Sequence, residues 1–136
     1  MPGSEREFER IKAKFSEFEA KIRKIDERIK EMKKKVEELR KQAHLYGYVE
    51  LRPVKNKTGT VYHYYYYVYY VKEGKVWKKK SVYLGNTLDE KFLEELERGK
   101  RIRALEREIR KLEKEKRKLI KKISKVINEL SGGTYV

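Results

Sequence analysis

The chain contains no cysteine, so it has neither disulfides nor thiolate metal sites. Tryptophan occurs once, and proline and histidine twice each, in 136 residues. Aspartate is confined to Asp26 and Asp89, and glutamine to Gln42. His44 falls at the end of a predicted helix, His63 inside a predicted strand, and both aspartates on predicted helices. They form no nucleophile–base arrangement and no metal-ligand spacing, so the expectation is a protein that is not an enzyme and uses no cofactor or metal. No apolar run reaches the length of a signal-peptide core or a membrane span, which leads to the expectation of an intracellular, cytoplasmic protein without membrane partners. Only 38% of residues are hydrophobic against 43% charged, too few for a large globular core but enough for long surface helices. Scarce glutamine and cysteine beside abundant lysine and glutamate is a bias of heat-adapted, thermophile proteins.

What the chain has in quantity is positive charge: 37 lysines and arginines against 22 acids, a net charge of +15. Residues 1–44 carry fourteen basic and ten acidic side chains, residues 45–86 eight and two, and residues 87–136 fifteen and ten. The shortest segment therefore has the largest excess, and its charge is nearly unopposed. The flanks alternate signs as solvated helices do.

Those flanks carry the heptad signal. Phe8, Ile11, Phe15, Phe18, Ile22, Ile25, Ile29, Met32, Val36, Leu39 and Ala43 follow an unbroken 3-4 spacing, which predicts a coiled-coil helix over 1–44. Ile102, Leu105, Ile109, Leu112, Leu119, Ile123, Val126 and Leu130 repeat that spacing over 100–130, with Lys116 at the one polar seam position. Lys116 either sets register or lets its ammonium snorkel to water where the seam opens. Two stripes in one chain predict an antiparallel hairpin of helices. The same seam could also pair two copies of the chain, so a homodimer is a second expectation.

Between the flanks the period drops to two. "YGYVELRPV", "TVYHYYYYVYYVK" and "VWKKKSVYLG" read as three strands of an antiparallel meander over 45–86, joined by "KNKTG" and by a tight turn at Glu73 and Gly74. A short helix over 87–99 is predicted next, capped by Thr87 and Glu90 and broken at Gly99, with 131–136 as a tail. The fold class is thus α+β: a long antiparallel helical hairpin with a three-stranded antiparallel sheet and a short helix inserted between its arms.

With Glu73 and Gly74 as the hairpin loop, Val71 opposes Val76, Tyr65 opposes Val82 and His63 opposes Leu84. Val49 and Leu51 join that aliphatic side, which is assigned to Phe92, Leu93 and Leu96 of the short helix. The other face carries Tyr48, Arg52, Tyr62, Tyr64, Tyr66, Tyr70, Trp77, Lys79 and Tyr83, with Lys55, Lys57, Lys72 and Lys75 at its rim. Lysines that neutralise phosphates beside rings that stack on bases are what a nucleic acid requires, so these thirteen residues are the candidate contacts. Duplex DNA is favoured and RNA remains open, with a nucleoid-associated location following if DNA is the partner.

"YYYYVYYVKEGKVWKKKSVYLG" resembles the last two strands of the small sheets at the amino ends of tyrosine integrases, the arm-binding or AP2-like domains. The resemblance covers residues 47–98 and implies a sheet lying in the major groove, with Tyr66, Tyr70, Lys75, Trp77 and Lys79 in contact with DNA. The order helix, hairpins, helix also resembles prefoldin subunits, which implies a chaperone or coiled-coil scaffold as the alternative function.

Overall fold

The protein, seen here as a computed structural model, is described over residues 2–131, with side chains described over 5–129. Its elements are α1 (Pro2–Arg40), β1 (Tyr48–Lys55), β2 (Val61–Glu73), β3 (Val76–Gly85) and α2 (Glu90–Ser131). The class is α+β, with two long helices and one antiparallel sheet ordered β1-β2-β3. No helix among the described residues is long and apolar enough to cross a membrane. The chain divides into two compact units: residues up to 36 together with those from 105 onward, and residues 37–104.

In the first unit the heptad stripe of α1 is the shielded side of the helix. Ile29 and Val36 are buried, and Ile11, Phe15, Phe18, Ile22, Ile25 and Met32 are half-buried, while Phe8 stands in solvent. On α2, Ile109 and Leu112 are buried and Leu119, Ile123 and Val126 half-buried. Two ion pairs link the helices: Lys116 Nζ lies 2.7 Å from Asp26 Oδ1, and Lys33 Nζ lies 3.6 Å from Glu113 Oε1. The polar seam position therefore has a carboxylate partner at the surface, a pairing worth about 0–1 kcal/mol. Leu130 and the tail lie outside the described side chains.

The second unit corrects the predicted helix boundaries. No separate helix covers 87–99; α2 runs unbroken from Glu90 through Gly99. Gly99 is present because the chain leaving α1 passes directly over it, and a methyl group there would collide with the Leu45 carbonyl. The Leu45 N–H donates to the Glu95 carbonyl at 3.0 Å, and Arg98 Nη1 donates to the Ala43 carbonyl at 2.6 Å. These bonds take up the backbone of 43–45, so α1 ends at Arg40 and Ala43 is not helical. Nor does Thr87 cap α2. Asp89 does, accepting the Lys91 N–H on Oδ1 at 3.4 Å and the Leu93 N–H on its carbonyl at 3.1 Å.

The sheet follows the predicted strands but not the predicted turn. The β2–β3 loop is Gly74 and Lys75, with Gly74 at φ +63°. Tight hairpin turns need positive φ at the first loop position, which glycine supplies and Glu73 does not. Moving the loop by one residue displaces the partners by two, so that Val71 pairs Lys78 and Tyr67 pairs Val82, and a bulge at Tyr65/Tyr66 then adds one more, so that Tyr65 pairs Gly85. A two-residue displacement keeps every side chain on its face. The β1–β2 turn is fixed by Asn56, whose Oδ1 accepts the Thr58 N–H, the Thr58 hydroxyl and the Thr60 N–H at 3.1, 2.8 and 2.9 Å.

Candidate nucleic-acid interface

Alternation along β2 divides its tyrosines between two faces. Tyr62, Tyr64, Tyr66 and Tyr70 share one with Tyr48 and Arg52 of β1 and with Trp77, Lys79 and Tyr83 of β3. Successive same-face residues on a strand lie about 6.6 Å apart, close enough for rings to touch. Here they form a chain of contacts. Tyr62 stacks on Tyr64 with centroids 6.3 Å apart, and Tyr83 meets Tyr64 and Tyr66 edge-on at 5.6 Å each. Arg52 lies over the Tyr66 ring at 4.5 Å, while its Nη2 sits 3.2 Å from Glu50 Oε2. Further along, Lys72 approaches Trp77 at 5.9 Å, and Trp77 remains 64% exposed.

The opposite face takes Tyr65, Tyr67 and Tyr69. Tyr67 meets Phe92 of α2 edge-on at 5.5 Å, stacks on Tyr69 at 5.3 Å, and accepts the Gly47 N–H on its hydroxyl at 3.1 Å. Tyr67 thus occupies the position expected for Tyr65, opposite Val82 and against Phe92. His63 faces Pro53, not Leu84, and is exposed.

Coverage of the two faces departs from the expected contrast. Phe92 and Leu96 are shielded, but Leu93 points into solvent, and Leu51 and Val82 on the supposedly covered side are 50% and 46% exposed. The one fully buried sheet residue, Val68, lies on the tyrosine face expected to be open. It is the smallest apolar side chain in a row of tyrosines, flanked on β2 by Tyr66 and Tyr70 and opposed by Tyr48 and Ser81.

Charge separates the faces more clearly than burial does. Glu73 takes both Lys78 and Lys80, at 2.9 and 3.6 Å, on the Tyr67 side. Lys72, Lys75 and Lys79 have no carboxylate within 4 Å among the described residues, and Lys72 and Lys79 point from the tyrosine face. Of the remaining rim residues, Lys57 sits in the β1–β2 turn. Lys55 pairs with Val61 and by its register belongs to the Tyr67 side, away from the other candidates. No family model, curated protein or solved structure matches this chain.

Proposed function

We propose that the protein binds nucleic acid, with duplex DNA as the favoured form, through the tyrosine face of its sheet. The observation that carries this reading is one surface combining a connected run of rings, Tyr62–Tyr64–Tyr83–Tyr66, with the stacked Arg52 and with lysines that no acid neutralises among the described residues. Lysines release counterions from phosphates, tyrosine hydroxyls bond phosphate or base edges, and the rings offer stacking area. Three strands at about 4.8 Å spacing span about 10 Å, a width that suits a major groove of about 12 Å. The resemblance to arm-binding domains supports the same docking and the same contacts at Tyr66, Tyr70, Lys75, Trp77 and Lys79.

The helices form, in this reading, an antiparallel coiled-coil hairpin. Two facts support it: the shielded 3-4 stripes, and the ion pairs Asp26–Lys116 and Lys33–Glu113, in which rising numbers on α1 meet falling numbers on α2.

Titration of a labelled mixed-sequence duplex across a salt series tests the function. Affinity should fall steeply with salt, and Lys79→Ala should reduce the log–log slope by about 1. Salt-independent binding, or none, combined with suppression of client aggregation would favour the prefoldin-like alternative.

A further inference from the structure

β1 begins at Tyr48, which pairs with Val68, so β2 beyond Val68 has no strand neighbour on its β1 side. Beside this open stretch lies a pocket of about 450 Å³, within the range of about 300–1,000 Å³ typical of small-ligand sites. Its walls are five tyrosines and Trp77, with Gly47 at the entry to β1 and Arg103 of α2 as its one charged group. Residues from both faces of the sheet contribute: Tyr67 and Tyr69 from one, Tyr70 and Trp77 from the other. Two of its polar groups have partners within the fold. Arg103 lies over the Tyr46 ring at 4.7 Å, and the Tyr67 hydroxyl is held by the Gly47 N–H.

An aromatic enclosure with a single guanidinium suits a planar ring system attached to an anion. A quaternary ammonium, the other common guest of aromatic cages, would meet Arg103 and a segment with six excess positive charges. A nucleobase has the flat π-faces to stack on one of the rings lining the pocket, and its phosphate gives Arg103 a bidentate partner. Tyr48, Tyr70 and Trp77 belong both to this pocket and to the tyrosine face, so a strand lying on that face leads directly into it. We infer that the pocket receives one unpaired base, and that the preferred ligand is therefore a duplex carrying a single-stranded extension. The inference rests on the nucleic-acid reading above and narrows its ligand.

Trp77 is the sole tryptophan, so its emission reports occupancy of the pocket. The wild-type chain is titrated with a blunt duplex, the same duplex with a short unpaired extension, and the same duplex with an abasic extension of equal charge. The expected result is that the base-bearing extension tightens binding about tenfold or more and quenches Trp77, whereas the abasic one does neither. Tyr69→Ala and Arg103→Gln should reduce that gain while leaving blunt-duplex affinity unchanged. Because Arg103 is exposed, its variant keeps the test open if Tyr69→Ala fails to fold. Equal affinity for base-bearing and abasic extensions, or for blunt and extended duplexes, overturns the inference while the proposed function stands. Absence of binding to all three ligands overturns both.

Discussion

Tyr66 and Tyr67 are adjacent, chemically identical and both half-buried, yet the strand sets them in opposite surroundings. The ring of Tyr67 is held by Phe92, by Tyr69 and by a backbone N–H, all parts of the fold. Tyr66 touches the exposed Tyr83 and the half-buried Arg52. Charge differs in the same way: Glu73 pairs with Lys78 and Lys80 on the Tyr67 side and with none of the lysines on the Tyr66 side. Residue type therefore says little about a tyrosine's surroundings in this strand. Parity and neighbours decide it.

The sharpest test of the contrast is Tyr67→Ala, expected to cost about 3 kcal/mol of stability as the packing on Phe92 and the Gly47 bond are lost together. Thermal melts measure the loss. The fraction that remains folded should bind blunt duplex as the wild type does. Tyr66→Ala should reverse the pattern, weakening nucleic-acid binding by about 1–3 kcal/mol if the ring stacks on a base while barely moving the melt. Tyr66→Phe separates a stacking ring from a hydroxyl on phosphate. If Tyr66→Ala unfolds the protein and Tyr67→Ala only abolishes binding, the assignment of faces is inverted. The smallest effect is expected of Glu73→Gln, which releases Lys78 and Lys80. Half-exposed pairs of this kind contribute about 0–1 kcal/mol, and the salt slope should stay unchanged if the Tyr67 side makes no phosphate contact.

Much of the fold was legible because periodicity is a strong signal. The 3-4 stripes located both helices, and the switch to period two located all three strands within a residue or two. Face membership survived a wrong turn because the displacement was even. What stayed hidden depended on chain paths that sequence spacing does not encode. Gly99 reads as a helix breaker, and only the passage of Leu45 across it reveals a close-approach glycine inside a continuous helix. The bulge at Tyr65/Tyr66 and the solvent exposure of Leu51 and Val82 likewise have no local signature. Nine of the candidate site residues share the tyrosine face as expected from their parity, and Lys72 joins them, whereas Lys55 does not. Tyr46, Tyr67, Tyr69 and Arg103 were missed as a group. Arg103 lies next to the seam residue Ile102 but off the seam, and nothing in its spacing announces a partner near residue 46.

The strictly sequential order β1-β2-β3 also bears on how the chain reaches this structure. Hairpins of this kind close on a timescale of about 1–10 μs, because their turns are short and the entropy of bringing strands together is small. The Asp26–Lys116 pair joins residues on opposite sides of the whole sheet in sequence, and closing that loop from an unfolded chain is far slower. A preformed meander removes most of the freedom in the intervening chain and leaves the helices a shorter effective loop to close. Loosening the Asn56 turn, as in Asn56→Ala, should therefore slow refolding in a stopped-flow experiment, whereas Lys116→Ala should act mainly on the unfolding rate. The expected order is therefore that the meander forms before the two long helices pair, with the ends of the chain joining last.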